Sequence, residues 1–292
     1  VSLGALAAAT WWPSLRPGPG RLELHVIDVG QGDALAVRSP RGRWLLVDAG
    51  GGWQGGDAAA SIVWPYLRRQ GGDVVYLSMS HPHLDHIGGM ATLLARAAAD
   101  TLWDGAYVSG NAVYRDVLRT ARGLGRPWRR VAAGDSVAFD GVMVTVLAPD
   151  SSWLAGLARA GEVNEASVVL QLRFGRRRFL LTGDAEGGEE AWMVARYGAS
   201  LASDVLKVGH HGSVTSTTPD FLDVVRPRVA VVSVGSGNRY GHPSQRVLQA
   251  LDESGAYLLR TDDDGTIVVS TDGKDLEVRA NGGRWRDVVR GR

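Results

Sequence analysis

The feature that most constrains this chain is a turn over residues 81–86 that reads His-Pro-His-Leu-Asp-His. It follows the apolar segment VVYLSMS, which we predict to be a buried strand, and precedes an Ala/Leu-rich segment, 87–99, that we predict to be a helix. Imidazole and carboxylate groups at the end of a buried strand need partners, and divalent cations bind both kinds of group. The turn therefore predicts a centre for two metal ions; the alternative is a polar turn satisfied by hydrogen bonds alone.

The composition narrows the ligands that such a centre can use. The chain contains no cysteine, which excludes disulfides, thiolate nucleophiles and cysteine-ligated metals, so any metal must be held by His, Asp or Glu. Its 32 Lys+Arg residues nearly balance 31 Asp+Glu residues. A net charge of +1 argues against a protein that holds nucleic acid by a strong overall basic charge, but it does not exclude a local basic groove.

Three regions are expected along the 292 residues. The start, VSLGALAAATWW, carries no charged side chain, and prolines follow it, so we expect 1–20 to be the tail of a transmembrane helix with a linker. A short buried helix or an ordinary terminus is the alternative for this segment. Residues 21–280 are expected to form one domain, and the basic end, 281–292, a tail.

Strand and helix patterns alternate through the domain. Three short strands in quick succession over 22–48 predict an antiparallel meander, and further apolar strands then alternate with helices. We expect a hairpin around Asp-Gly within 257–271, and KDLEVRA as the closing strand. This pattern predicts an α/β fold in which two stacked sheets carry helices on their outer faces.

The H-x-H-x-D-H turn, with LLVDAG before it and LLTGD after it, resembles the signature of the metallo-β-lactamase superfamily. The resemblance implies a metallo-β-lactamase-like four-layer αββα sandwich, with two mixed sheets and helices outside. It also implies that Asp184 is a carboxylate that bridges two metal ions. The alternative is that Asp184 only caps the helix over 186–197.

Further segments narrow the resemblance. HVIDVGQGDA, VDAGGG, LKVGHHGSVTSTTPDFL and VAVVSVGSGNRYGHPS are similar to the soluble domain of ComEC-type DNA-internalisation competence proteins, from about residue 21 to about residue 271. The resemblance implies a domain of a bacterial cell-membrane protein, on the extracytoplasmic side. Its partners would be single- or double-stranded DNA, the membrane channel part of the same full-length protein, and the competence proteins that deliver DNA.

The implied activity is that of a metal-dependent phosphodiesterase, or nuclease, that degrades the strand that is not imported. Two divalent cations, Mn²⁺ or Zn²⁺, would bind phosphate oxygens and lower the pKa of an attacking water. Two alternatives stay open on the sequence. One is a non-catalytic DNA-binding or assembly domain of the channel. The other is a hydrolase of a small ester, which would have a narrow apolar pocket and no action on DNA.

The resemblance carries over to individual residues. The expected metal ligands are His81, His83, Asp85, His86, Asp184, His210 and His242. The expected catalytic residues are Asp85, His211 and Lys207. The residues expected to contact substrate are Ser213, Ser216 and Asn238. Those expected to support the ligands from behind are Asp33, Asp48 and Asn164.

The sequence departs from the superfamily pattern at one expected ligand of the first metal. Most superfamily members carry a histidine in the turn before the strand that matches SVVLQLRFG, but here that turn holds Asn164. Asn164, a water molecule or His210 would fill the gap. Because consecutive residues at a strand end point to opposite sides, we expect His210 to be a ligand and His211 the proton donor. His242 would complete the second metal site.

Other groups have a structural interpretation beside the functional one. His25 lies inside a strand and is expected to be structural. The hydroxyl groups that follow Gly212 suit phosphate oxygens, or they cap the helix PDFLDVVR. Lys207 either contacts phosphate or extends from a buried strand. Trp128, within the basic segment 125–130, either stacks on a base or lies in a solvated turn.

Overall fold

The computed structural model describes residues 20–105, 107–157, 162–281, 283 and 286–289. The described strands are β1 Leu22–Val26, β2 Leu35–Arg38, β3 Trp44–Val47, β4 Gly52–Trp53, β5 Gly56–Asp57, β6 Val74–Ser78, β7 Thr101–Asp104, β8 Trp128–Arg130, β9 Ser136–Phe139, β10 Val142–Ala148, β11 Val169–Phe174, β12 Arg177–Leu181, β13 Val205–Lys207, β14 Val229–Val232, β15 Tyr257–Arg260, β16 Ile267–Thr271, β17 Leu276–Ala280 and β18 Arg286–Val289. The helices are α1 Trp64–Gln70, α2 Leu84–Ile87, α3 Met90–Arg96, α4 Ala112–Gly123, α5 Ser151–Leu157, α6 Gly187–Tyr197, α7 Pro219–Val225, α8 Gln245–Glu253 and α9 Thr261–Asp264. A π-helical turn, Ala59–Val63, leads into α1, and 3₁₀ turns cover Asn164–Ala166, Gly198–Leu201 and Gly209–Gly212.

The first sheet is mixed and has nine strands in the order β18-β17-β16-β1-β2-β3-β6-β7-β8. The expected meander is confirmed, because β1, β2 and β3 pair antiparallel with short connections. From β3 onward the pairing becomes parallel, through β6 and β7 to β8. Parallel strands need crossovers, and α1 and α4 supply them.

The second sheet has seven strands in the order β15-β14-β13-β12-β11-β10-β9. Its first half is antiparallel, and the predicted basic hairpin joins β11 to β12. Its second half is parallel, from β12 through β13 and β14 to β15. A strand such as β14, Val-Ala-Val-Val, is buried along its whole length because helices cover the face that the other sheet does not.

Three apolar clusters define four layers. The largest lies between the two sheets and joins side chains such as Leu24 and Val269 of the first sheet to Phe179 and Val205 of the second. A second cluster packs the outer face of the first sheet against α1, α3 and α4, and a third packs the outer face of the second sheet against α6, α7 and α8. The predicted αββα sandwich with helices outside is therefore confirmed.

Two predicted elements are wrong in detail. The expected hairpin within 257–271 does not form, because β15 pairs with β14 in the second sheet and β16 pairs with β1 in the first. The short helix α9 separates them, and Thr261 at its start holds β14 by hydrogen bonds to the backbone of Val234.

The predicted helix over 87–99 is split into α2 and α3 at Gly88 and Gly89. A Cβ atom at Gly88 would lie 2.2 Å from a backbone nitrogen, so the turn packs closer than any other residue allows.

Both ends of the chain were predicted to lie outside the domain. Within the expected basic tail, residues Arg286–Val289 form β18, which pairs antiparallel with β17, so the sheet extends beyond residue 280. The expected transmembrane tail over 1–19 lies outside the described residues. Among the helices described, none combines the length and the apolar character that crossing a membrane requires.

The sheets bring several strand ends to one edge of the sandwich. The loops after β3, β6, β12, β13 and β14 all leave the carboxyl ends of strands there. Side chains at such strand ends face a common crevice, which is where α/β sheets bind ligands. The predicted site residues lie on these loops.

Candidate metal centre

The turn 81–86 places two imidazole rings side by side at the end of β6. The Nε2 atom of His81 lies 2.9 Å from Nδ1 of His83, and Nδ1 of His81 lies 3.0 Å from the hydroxyl of Ser80. His81 is buried, and His83 is half-buried at the start of α2. The contact with Ser80 leaves Nε2 of His81 to face the crevice.

His86 lies at the centre of the site and is fully buried. Its Nδ1 atom is 2.8 Å from Oδ2 of Asp48. Asp48 is held in turn by the backbone N–H of Ser80 at 2.8 Å and by its hydroxyl at 2.6 Å. A carboxylate behind the ring fixes the proton on Nδ1 and leaves Nε2 free to bind a cation. Asp48 therefore lies directly behind the ring of His86.

Asp184, directly after β12, faces four imidazole rings. Its Oδ2 atom lies 3.2 Å from Nε2 of His86, 3.6 Å from Nε2 of His211, and 3.8 Å from Nε2 of both His81 and His210. Its Oδ1 atom is buried and has no hydrogen-bond partner among the residues described. Its position at the centre of the ring cluster is that of a bridging ligand.

The alternative role of Asp184 as a helix cap is wrong. The first backbone N–H groups of α6 are bound by the carboxylate of Glu165 instead. Its Oε1 accepts from Gly188 at 2.9 Å, and its Oε2 accepts from Glu189 at 2.6 Å. Asp184 is thus left available to the crevice.

His210 and His211 lie in the 3₁₀ turn after β13, where both adopt left-handed backbone, with φ of 44° and 53°. The strand-like alternation assumed from the sequence does not apply to such a turn. His211 points inward, with Nδ1 donating to the carbonyl of Ser233 at 2.8 Å and Nε2 at 3.3 Å from Nε2 of His86. His210 points to the rim, where its Nδ1 lies 2.8 Å from Glu186. The positions are therefore the opposite of those expected, with His211 on the inside and His210 at the rim.

His242 does not lie where the sequence predicted. Its half-buried ring stacks on Tyr240 at 5.8 Å between centroids and lies 5.5 Å from the ring of His210. Over the part of the chain that the structure describes, it belongs to none of the groups of potential ligand atoms that lie within 4.8 Å of one another. His211 occupies the expected place of His242 beside Asp85 and His86.

Those groups share members, and His86 belongs to three of the four. They are His81 with His86 and Asp184, Asp85 with His86 and His211, Asp33 with Asp184 and His211, and Asp33 with Asp48 and His86. Ligand atoms about 2.0–2.1 Å from a tetrahedral zinc ion lie roughly 3.3 Å apart. The separations among His86, His211 and Asp184 match that spacing.

The comparisons with known proteins agree with this geometry. The family model described as the metallo-beta-lactamase superfamily matches residues 27–236. The chain belongs to the metallo-beta-lactamase superfamily. It is 34% identical to ComE operon protein 3 of Bacillus subtilis (strain 168), over 84% of this chain and 32% of that protein. It is 32% identical to competence protein ComA of Neisseria gonorrhoeae, over 83% of this chain and 31% of that protein.

A solved structure adds the fold. The metallo-beta-lactamase fold protein YhfI from Bacillus subtilis matches with a TM-score of 0.56 and 12% identity, over 86% of this chain and 99% of that one. The chain spans about a third of the length of the curated relatives that it matches. Members of this superfamily are typically metal-dependent hydrolases, and the ligand set of this member is made of imidazole and carboxylate groups.

In this member of the superfamily, electrostatics also favour a cation at the centre. Burial lowers the pKa of His81 well below its usual value, so that ring is neutral and able to bind a metal. Burial opposes ionisation of Asp184, but His86 and His211 outweigh it and hold its pKa well below the usual range. Burial also opposes a charge on His86, yet Asp184 and Asp48 raise its pKa well above normal. The buried carboxylates thus favour a positive charge between them, which fits divalent cations.

Lys207 and Asp33 form a buried ion pair behind the ligands. Both are fully buried, and the Lys207 ammonium also donates to the carbonyl of Gly183 at 3.1 Å. Asp33 Oδ1 lies 3.5 Å from Nδ1 of His211, but that nitrogen donates to the Ser233 carbonyl, so Asp33 is close to the ring without a hydrogen bond to it. Lys207 is too deeply buried to contact phosphate. It holds the backbone next to Asp184 and is a positioning residue.

The two serine hydroxyl groups that were expected to contact substrate form hydrogen bonds within their own loop. The Ser216 hydroxyl is buried and donates to the carbonyl of Gly209 at 2.7 Å, and the Ser213 hydroxyl, also buried, lies 2.9 Å from that of Thr215. Thr218 caps α7 by accepting from Phe221, which confirms the structural interpretation of this hydroxyl cluster. Both serines shape the loop beside the histidines and do not point into the crevice.

Asn164 lies beside His210, with its amide nitrogen 3.4 Å from Nδ1 of that ring and donating to Glu186 at 3.0 Å. It therefore borders the rim of the site, where it was expected to support a ligand. Glu186 and Ser80 were missed by the sequence reasoning. The signal for both was adjacency, since Ser80 precedes His81 and Glu186 follows Asp184 by two residues.

His25 is structural, as predicted. It is buried, its Nδ1 lies 2.7 Å from the Tyr66 hydroxyl, and its Nε2 lies 3.2 Å from Glu23. Burial lowers its pKa. It ties β1 to α1 on the outer face of the first sheet and takes no part in the centre.

Proposed function

We propose that this chain is the two-metal phosphodiesterase domain of a DNA-uptake protein and that it cleaves DNA. The observation that carries the proposal is the buried Asp184 carboxylate. It lies within 3.8 Å of ring nitrogens from separate loops, and its second oxygen lacks a hydrogen-bond partner in the described part of the chain. A carboxylate shared between two ligand groups is the arrangement that a two-metal hydrolytic site needs.

The ligand atoms divide into two sets that share Asp184. The first set is His81, His83 and Asp184, in which His83 is assigned from its 2.9 Å contact with His81, since it belongs to none of the groups described above. The second set is Asp85, His86, His211 and Asp184. When bound, two divalent cations, Mn²⁺ or Zn²⁺, supply Lewis acidity toward phosphate oxygens and lower the pKa of an attacking water.

The remaining residues orient the reactants. Asp85 is more than one-third exposed and lies 3.5 Å from His211, so its free oxygen is placed to accept a hydrogen bond from the attacking water. His210 is held at the rim by Glu186, and its other ring nitrogen faces the crevice 3.8 Å from Asp184. We propose that His210, in the role first expected of His211, donates a proton or hydrogen bond to a substrate oxygen.

The DNA substrate is supported by the relatives. Two proteins that are 34% and 32% identical to this chain are named for competence or for a Com operon, and the chain covers about a third of the length of each. We propose that the domain lies on the extracytoplasmic side of a bacterial membrane, beside the channel part of a longer chain. There it degrades the strand that is not imported, after other competence proteins deliver the DNA.

A second candidate is a non-catalytic DNA-binding or assembly domain. The observation in its favour is Asn164, which stands where most superfamily members carry a histidine, so the first ligand set has two imidazoles and a carboxylate. This candidate predicts DNA binding without cleavage under any metal. A small-ester hydrolase, the third candidate, predicts turnover of a chromogenic ester and none of DNA.

A metal-screened cleavage assay separates these candidates. The metal-free chain is reloaded with Mn²⁺ or Zn²⁺ and incubated with labelled single- and double-stranded DNA. We expect cleavage with the wild type, its loss in Asp184→Asn, and its retention in Asp140→Asn, a matched change at an aspartate that binds Arg43 outside the site. Equal activity in Asp184→Asn would contradict the proposal, and binding without cleavage with every metal would favour the second candidate.

A further inference from the structure

A pocket of about 430 Å³ opens directly beside the proposed metal centre. Its walls include Trp53, Leu84, Tyr240 and Asp85, and we call the side formed by Asp85 its inner end. Asp85 also lies 3.5 Å from His211, so the pocket and the ligand cluster share a residue. A molecule in this pocket would therefore be adjacent to the bond that the centre acts on.

The walls of the pocket expose large apolar side chains. Trp53 is 56% exposed, Tyr240 55% and Leu84 49%. Isolated exposed apolar side chains are normal on a soluble surface, but three around one opening mark a binding surface. Two of the three are aromatic rings, which offer flat faces to a flat ligand.

Contacts of the surrounding loops hold both rings in place. The loop that carries Tyr240 is braced by Asn238, whose Oδ1 accepts from the backbone N–H groups of Tyr240 and His242, each at 3.1 Å. The amide nitrogen of Asn238 donates to the carbonyl of His242 at 2.6 Å. Asn238, which was expected to contact substrate, lines the pocket and also braces the loop that carries the Tyr240 ring. A braced ring loses little entropy when a ligand stacks on it.

Trp53 is presented by a ribbon of only two short strands, β4 and β5. Its indole nitrogen lies so close to Gly56 that an added Cβ there would be 3.1 Å away. The ribbon therefore fixes the indole beside the opening. The lip also carries a positive charge, since the exposed Arg239 donates to the Tyr240 hydroxyl at 3.2 Å and lies 5.2 Å from its ring centre.

These features fit one occupant. Flat apolar walls suit a nucleobase, a cationic lip suits a backbone phosphate, and the inner end adjoins a phosphodiester-cleaving centre. A base within a duplex is stacked and paired, so it reaches such a pocket only after the duplex is opened. We propose that this pocket binds an unpaired base of a single-stranded nucleic acid next to the scissile phosphate. The proposal rests on the proposed function and gives it a preference for single strands.

Binding measured with and without bases tests the proposal. The full chain carrying Asp184→Asn is titrated, with Mn²⁺ present, against a labelled oligothymidine and against an abasic strand of the same length and charge. We expect tighter binding of the oligothymidine. Adding Trp53→Ala should weaken oligothymidine binding by roughly 5- to 150-fold, the scale of one lost base stack, and leave abasic binding unchanged.

Matched variants keep the result interpretable. Trp53→Phe should restore most of the affinity because it retains an aromatic face, and Tyr240→Ala should weaken binding in the same base-dependent way. Trp128→Ala removes an indole that is 43% exposed outside the pocket and should have no effect. The proposal is overturned if wild-type binding does not distinguish bases from abasic sites, or if Trp53→Ala weakens both strands equally.

The two proposals fail in different ways. Base-dependent binding by a chain that cleaves DNA with no metal would overturn the phosphodiesterase and leave the base pocket standing. Metal-dependent DNA cleavage with the same rate on single and double strands, unaffected by Trp53→Ala, would overturn the base pocket alone.

Discussion

Replacing Asp48 by Asn tests how the second ligand set is built. Asp48 accepts from Nδ1 of His86 at 2.8 Å and from Ser80 at 2.8 and 2.6 Å. An amide has one oxygen in place of two, so its NH₂ group must face either the Ser80 backbone N–H or the side shared by the Ser80 hydroxyl and the His86 ring. If its NH₂ group faces the ring, the proton of His86 moves to Nε2 and the nitrogen that should bind a cation is blocked. The backbone at residue 48 has φ of 63°, which Asn tolerates.

Loss of such a supporting carboxylate costs about 10- to 100-fold in metal affinity, or about 1.4–2.7 kcal/mol. We expect this loss for the weaker-bound of two ions when the Asp48→Asn chain is titrated with Mn²⁺ or Zn²⁺ against a competing chelator. Asp140→Asn is the matched control, because Asp140 also has left-handed backbone, with φ of 52°, and binds Arg43 away from the site. Unchanged affinity in Asp48→Asn, or an equal loss in both variants, would refute the reasoning.

Three further predictions follow from other contacts. His211→Ala should release about one metal ion per chain by elemental analysis while His210→Ala retains it, and the reverse result would restore the roles first expected from the sequence. Lys207→Met should lower the free energy of unfolding in urea by about 3–5 kcal/mol, because it leaves the buried Asp33 unpaired, and a loss below about 1 kcal/mol would contradict this. Burial raises the pKa of Glu190 to about 7 from 4.5, so the folded chain holds a proton that the unfolded chain has lost between these values. Wild-type stability should therefore fall as the pH rises through that window, and Glu190→Gln should flatten the dependence; parallel pH profiles would show that Glu190 is ionised throughout.

The parts of the fold that follow local patterns were predictable from the sequence. The meander, the basic hairpin between β11 and β12, and the alternation of apolar strands with helices all come from periodicity and turn residues. The split of 257–271 between two sheets was not, because Asp-Gly after a strand signals a hairpin, and nothing local shows that β15 pairs with the distant β14. Long-range pairing depends on packing that short sequence windows do not contain.

The candidate site was likewise predictable only in part. The dense turn 81–86 was identified because it follows a buried strand, and Asp184 because LLTGD resembles a segment of the superfamily signature. The exchange of His210 with His211 was missed because two consecutive left-handed residues break the strand alternation on which the argument relied. His242 was assigned from its place after β14. In the structure its ring stacks on Tyr240.

The sequence also does not show how deeply a charged side chain is buried. Lys207 at a strand end fits a phosphate contact as well as a buried ion pair, and only the fold shows that Asp33 from another loop meets it. Ser213 and Ser216 are a similar case. Their hydroxyl groups could bind phosphate as far as the sequence shows, but in the structure they form hydrogen bonds within their own loop.

The most direct test of the central claim is the anomalous diffraction of crystals soaked in Mn²⁺. We predict two peaks about 3.5–4 Å apart, the usual spacing in two-metal sites, with Asp184 between them. One should be bordered by His81 and His83, the other by His86 and His211. A single peak, or a peak bordered by His242, would contradict the two-metal account of this crevice.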